Sequence, residues 1–185
     1  MQPWRPAVVC PQTTCILNLT ALVNKYKYMQ KITPFLWFNN NAEEAMNFYT
    51  STFKNSKIVN VTRYGDAGPG PKGDVMMGTI EIENQPFYLL NGGSQYTFNP
   101  SVSFFVSCTT QQEIDELWDK LSAGGNIQAC GWLQDKFGLS WQIVPYNLGS
   151  LIQGPDPEKS ARVMKAMMQM IKLDMNVLQE AYDGT

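Results

Sequence analysis

The sequence predicts a mixed α+β fold in which one strand–helix–strands unit occurs twice and is followed by C-terminal helices. Three observations lead there. Residues 31–91 read as a strand, a helix and three strands, and residues 101–145 read as a strand, a helix and at least two strands. The two helical stretches, AEEAMNFYTSTF from Ala42 and QQEIDELWDKL from Gln111, each carry one apolar stripe. A tail from about 156 to 183 is again helical in pattern. A unit with one apolar face cannot bury it alone, so the repeat predicts two half-sheets closing over one shared cavity.

The elements follow in order. Lys31 to Phe38 (KITPFLWF) is β-branched and aromatic, and Pro34 lacks the amide donor that a central strand needs, so an edge strand is expected. Asn41 stands where a helix N-cap belongs, with Glu44 three residues on. Ala42, Ala45, Met46, Tyr49 and Phe53 then form the buried stripe. Lys57 to Tyr64 alternates as a strand, and the glycines and prolines of Gly65–Asp74 demand a loop. Val75–Glu83 and Pro86–Leu90 predict a hairpin turning at Asn84-Gln85.

The second unit opens with Val102–Cys108 as a strand. Thr110 caps its helix with Glu113 completing the box, and Gly124-Gly125 stops it. Strands near Ile127–Leu133 and Leu139–Pro145 flank a turn at Asp135–Gly138, which leaves this unit one strand short. Asp156 with Pro157 starts a methionine-rich helix reaching Lys172, and a shorter helix runs from Met175 to Tyr182. Its methionine face is expected to pack on the domain or on a second subunit.

Bulk composition narrows the function classes. The chain of 185 residues is 44% apolar and 16% charged, which suits one globular domain. A net charge of −2 gives no basic stripe for phosphates, so nucleic acid and anionic membranes are not expected partners. No stretch reaches the ~20 apolar residues of a membrane span. Residues 1–28, with Pro3, Pro6 and Pro11, read as an irregular extension without a signal-peptide pattern, and 29–185 as a single domain. Cys10, Cys15, Cys108 and Cys130 form no Cys-x-x-Cys pair and suit a reducing, cytoplasmic setting. There, the glycosylation patterns at Asn18 and Asn60 carry no meaning.

The chain has no histidine, which removes serine–histidine triads and leaves Cys130 without an activating imidazole. Strand alternation puts Trp141 and Ile143 on one face and Gln142 and Val144 on the other. The Gln142 amide can donate and accept, which suits holding a small polar ligand. Trp37, Tyr64, Phe87 and Trp132 are strand aromatics able to wall a pocket, and Asn91-Gly92-Gly93 can bring backbone close to a ligand or simply turn away from the sheet. GPGPKG lacks the ending of a phosphate loop and reads as a loop at the cavity mouth. Glu81 and Glu83 share a strand face that reads as solvated.

AEEAMNFYTSTFKNSKIVNVTRYG, LLNGG, LWDKLSAGG and above all DKFGLSWQIVP resemble the PhnB-like branch of the glyoxalase/bleomycin-resistance/dioxygenase (vicinal oxygen chelate) superfamily. Some members of that branch carry the label demethylubiquinone methyltransferase. The resemblance implies paired βαβββ modules, a cavity on the concave side of the sheets and a homodimer. Active members of the superfamily often hold a divalent metal there by His and Glu. This chain has Thr33 or Pro34 where the first-strand His is expected and Gln142 where the last Glu falls. A lone amide oxygen is a weak ligand, so no metal or other cofactor is expected. No strand–Gly-x-Gly–helix unit supports the methyltransferase label. The expected function is small-molecule binding with unassigned activity. The alternative is a superfamily enzyme (lyase, isomerase, oxygenase or the labelled methyltransferase) with Gln142, Glu81 and Cys130 as candidate groups.

Overall fold

The computed structural model describes residues 31–185, of which Pro34–Thr185 form one compact unit. The expectation for residues 1–28 lies outside the described residues. Two βαβββ modules are present. The first holds β1 (Phe35–Phe38), α1 (Ala42–Thr52), β2 (Ser56–Arg63), β3 (Val75–Ile82) and β4 (Gln85–Asn91). The second holds β5 (Ser103–Cys108), α2 (Gln111–Ser122), β6 (Asn126–Ile127), β7 (Trp132–Gln134) and β8 (Ser140–Pro145). The sheets have matching orders, β1-β4-β3-β2 and β5-β8-β7-β6. In each, the first strand runs parallel to the last and the remaining neighbours are antiparallel.

The strand missing from the sequence reading is β6, only two residues long. The stretch read as one strand, Ile127–Leu133, folds back on itself through Cys130 and Gly131, which take φ values of 58° and 80°. Two residues are too few for alternation to register. The first hairpin turns at Glu83-Asn84, one residue earlier than expected, with φ of 47° and 65°. Positive φ at both central positions matches the twist of the flanking strands. β1 is an edge strand, as Pro34 predicts, and Pro34 uses its carbonyl to accept from the Tyr88 amide.

Caps define the helices. Thr110 accepts from the Glu113 amide at 3.1 Å, and the Glu113 carboxylate accepts from the Thr109 amide at 2.7 Å, so the α2 box forms with a one-residue shift. Asn41 does not cap α1 with its side chain. The Oδ1 of Asn91, across the sheet, accepts from the Ala42 amide at 2.9 Å instead. Beyond β8 come α3 (Leu148–Ile152), which the sequence reading missed, α4 (Pro157–Met167) and α5 (Met175–Asp183). Asp156 caps α4 as expected, and Asp174 caps α5.

The inner faces of both sheets, α1 and α2 feed one continuous core. α1 lies between the sheets: Met46 sits against Gly78 of its own module, while Tyr49 and Phe53 meet Trp141 of the other at 5.7 and 5.3 Å between ring centroids. The interior between the modules is therefore largely packed around α1, with a groove left along one side of the seam. The shared cavity expected within one chain is replaced by an aromatic seam that also includes Phe87, Phe104 and Phe137. A smaller core joins α3, α4 and α5 to Val144 of β8.

Candidate functional site

Because both inner faces point into the common core, each sheet presents its other face outward. Register fixes what those faces carry. On the first sheet, Trp37, Leu90, Met77 and Thr62 form one row and Phe35, Tyr88, Thr79 and Asn60 the next. On the second sheet, Phe105, Gln142 and Trp132 form one row, and Ser103, Ser140 and Gln134 the neighbouring one. The alternation predicted around Gln142 is as observed: Trp141 and Ile143 are core, while Gln142 is half-buried on the open face.

Gln142 donates from Nε2 to Ser103 Oγ at 2.8 Å. That bond turns the amide so that Oε1 has no partner among the described residues. Trp132 flanks it on β7, and Phe105, which the sequence reading did not single out, flanks it on β5 with 60% exposure. Phe105 was legible as the only large apolar residue in phase with Gln142 on β5.

The other expected binding residues take different places. Trp37 is on the open face of the first sheet, so one chain does not bring it together with Gln142 and Trp132. Its Nε1 donates to the Gly93 carbonyl at 2.8 Å, its ring meets Tyr96, and it lies where a Cβ on Gly92 would stand. The Asn91-Gly92-Gly93 turn thus makes room for this indole. Phe87 is buried at 5% exposure against Phe104 and belongs to the core. Asn91 holds the fold: besides capping α1, its Nδ2 donates to the Val75 carbonyl at 2.9 Å. Tyr64 is half-buried under its own loop, with Gly68 and Gly70 pressed on the ring; its carbonyl accepts from the Gly73 amide and its amide donates to the Asp74 carbonyl. The candidate acids separate too. Glu81 pairs with Lys57 at 3.0 Å on the open face of the first sheet, while Glu83 sits in the turn and accepts from Asn55. Cys130 lies in the β6–β7 turn beside the Met167 carbonyl.

The polar centre that sequence reasoning missed is Asp135. At 2% exposure it accepts four hydrogen bonds. Oδ1 takes the amides of Phe137 (2.9 Å) and Leu139 (3.1 Å), and Oδ2 takes the Tyr49 hydroxyl (2.8 Å) and Trp141 Nε1 (2.9 Å). Burial pushes the Asp135 carboxyl up while the four donors pull it back, and burial with the adjacent carboxylate raises the Tyr49 phenol well above its ordinary value. The group ties α1 of one module to the β7–β8 turn of the other. Its four hydrogen bonds hold the two modules together within the core. Along the same seam, a groove of about 590 Å³ is lined by Phe53, Phe87, Phe104, Phe105 and Trp141, with Glu83 and Glu113 on its wall. Both glutamates are committed to local hydrogen bonds.

The donors present do not fit a divalent ion. Among the described residues no group of three or more His, Cys, Asp or Glu stands close enough to hold one. Around Gln142 the neighbours are hydroxyls, amides and aromatic rings, which supply no charge to offset a dication. No helix among the described residues is long and apolar enough to cross a membrane.

Comparison with known proteins agrees with this architecture. No curated protein matches the chain at a significant level. A PhnB protein from Bacillus cereus of solved structure is 43% identical over 61% of this chain and 97% of its own, with a TM-score of 0.58. Protein PA1353 from Pseudomonas aeruginosa shares the fold at 21% identity over 60% of this chain and 94% of its own, with a TM-score of 0.51. The family model described as 3-demethylubiquinone-9 3-methyltransferase matches residues 30–144. With that match spanning most of both modules, the chain belongs to this family, which its likeness to a PhnB protein supports.

Proposed function

We propose that the protein binds a small, flat organic molecule on the open face of its second sheet, and that it does so as a homodimer in which a second copy closes that face. The row Phe105–Gln142–Trp132 carries this reading. Two aromatic side chains flank an amide whose orientation is fixed by Ser103, and ligand sites typically combine apolar walls with a few placed polar groups. The dimer is supported by the strand edges. β1 and β5 are both edge strands, and Phe35 and Phe105 on them are 53% and 60% exposed. Unpaired edges carrying large apolar side chains call for a cover. The Trp37–Leu90–Met77 row of a second copy has the apolar character to form the opposite wall.

Binding without a metal fits the uncharged surroundings of Gln142. The free thiols of Cys108 and Cys130 fit a cytoplasmic setting. An enzymatic role has less support, because Glu81 is held by Lys57 and Cys130 lacks any activating base. The family's methyltransferase description is not carried over as an activity: two mixed four-stranded sheets offer no glycine-rich first turn of a doubly wound sheet.

Light scattering on the eluting protein and thermal melts against a panel of small neutral aromatic compounds test the reading. A dimer is expected, with at least one compound raising the melting temperature. A ligand at 100 times its Kd adds about 2.7 kcal/mol to native stability. Gln142→Ala and Trp132→Ala should abolish that rise. A monomer that no compound stabilises would sink the proposal.

A further inference from the structure

From the chemistry of the second sheet's open face we infer that the ligand is uncharged where it meets Gln142 and donates a hydrogen bond to Gln142 Oε1. This rests on the binding face proposed above and specifies what the face selects. Strand residues pointing to that side are Ser103, Phe105 and Ser107 of β5, Trp132 and Gln134 of β7, and Gln142 of β8 between the buried Ser140 and Val144. None is ionisable near neutral pH. A charged group brought against this surface would lose hydration with no opposite charge to replace it.

Hydrogen bonding adds direction. Gln142 Nε2 gives one hydrogen to Ser103 Oγ at 2.8 Å, which leaves its second N–H and the acceptor Oε1 to face a ligand, a pair that the C=O and N–H of a carboxamide match. Ser140, two residues back on the strand, is buried and leaves Gln142 as the polar group of β8 that a ligand on this face can touch. The rings of Phe105 and Trp132 on either side favour a flat, apolar body. The class that satisfies all of this is a neutral aromatic compound bearing an N–H or O–H donor, such as an aryl carboxamide.

Benzamide, benzoate and methyl benzoate separate the requirements, since they match closely in size but differ in charge and in donors. Binding to the full-length protein is measured by isothermal titration at pH 7. Benzamide should bind at least about fivefold tighter than the other two, the worth of one ordinary hydrogen bond. Gln142→Met, which keeps the bulk and removes the acceptor, should erase that preference. Gln142→Glu should shift preference to the benzamidinium cation. Equal or tighter binding of benzoate overturns the inference. If that binding is still lost in Gln142→Met, the binding face survives and only the selectivity is wrong. If all three bind regardless of Gln142→Met and Trp132→Ala, both readings fall. No binding by any of the three overturns the inference as well.

Discussion

Asp135→Asn is the substitution that most sharply tests how the two modules are joined. It preserves shape and changes one oxygen into an NH₂ group. In one amide orientation Nδ2 replaces Oδ2 and faces Trp141 Nε1, a group that can only donate. Tyr49 can rotate its hydroxyl and accept, but the indole cannot adapt. In the flipped orientation Nδ2 faces the fixed amides of Phe137 and Leu139, which is worse by one donor. Either way at least one buried N–H loses its acceptor and meets another donor. An unsatisfied buried donor costs roughly 1–3 kcal/mol, and bonds to a charged acceptor are worth more than neutral ones. Removing a buried charge offsets part of that loss. A net destabilisation of about 3 kcal/mol is expected, which for a chain of this size lowers the melting temperature by roughly 6–12 °C. Circular dichroism melts and guanidinium titrations at pH 7 measure it. Trp141→Phe removes the clashing donor, so the double variant should be less destabilised than the sum of the singles by at least about 1 kcal/mol. Asp135→Asn melting within about 1 °C of the parent, or additive single effects, would refute the assignment of Asp135 as the hub of the seam.

Other perturbations bear on separate parts of the fold. Burial pushes the Cys108 thiol up to about 12, so at pH 8 its thiolate fraction is roughly one part in ten thousand. Peptide mapping after brief maleimide treatment of native protein should find Cys108 unmodified, and full labelling there would contradict its burial in the core. At Gly125 a Cβ would collide with the Gln134 carbonyl oxygen, so Gly125→Ala should cost about 1–3 kcal/mol by forcing α2 away from β7; a neutral result in the same melts counts against that contact. Asp115 and Lys172 pair at 2.6 Å at the surface, and the bond to Lys172 holds the Asp115 carboxyl below its ordinary range while Asp115 raises the Lys172 ammonium. The lowered carboxyl contributes stability above its ordinary range that is lost as pH falls through the folded value. The raised ammonium contributes below its ordinary range and is lost as pH rises through the folded value. Solvent screening keeps the whole effect under about 1 kcal/mol, so the stability difference between parent and Lys172→Met should be small, flat near neutrality and shrink at both extremes; a difference that grows toward acid would contradict the pairing.

Some of this was open to inspection in the chain and some was not, for identifiable reasons. α1 and α2 were legible because Ala42, Ala45, Met46, Tyr49 and Phe53, and Ile114, Leu117, Trp118 and Leu121, repeat with helical spacing along about two to three turns. The orientation of Gln142 was legible because its strand alternates cleanly. β6 was not, since two residues carry no period. The cap on α1 was misread because Asn41 has the right chemistry next to the helix, whereas the donor is satisfied by Asn91 from 49 positions away. Asp135 illustrates the same limit. A turn beginning with Asp is readable, but the partners that bury it, Tyr49 from the other module and Trp141 from the next strand, are fixed only by tertiary packing. Phe87 and Trp37 were equivalent as sequence symbols. Being one residue out of phase on their sheets sends one into the core and the other to the surface.

That phase relation also decides where function can reside. The repeat was expected to enclose a shared hollow, yet α1 occupies most of the space between the sheets, where Trp141 packs on Tyr49 and Phe53 and only a groove remains along the seam. Packing α1 on both sheets buries the apolar faces that each module must hide, so the stability of a single chain comes from using the inner faces up. What remains for chemistry is the pair of outer faces, and these differ in kind. The first has the Lys57–Glu81 ion pair and an indole whose N–H is already spent on Gly93. The second has no ionisable side chain among its strand residues and an amide held in orientation at Gln142. A face with polar groups but no charge discriminates by hydrogen-bond direction and shape, since an ion placed there has nothing to replace its water. Placing a carboxylate at 142 would reverse that logic with a single atom, which is why Gln142→Glu separates recognition by direction from recognition by charge more cleanly than any deletion.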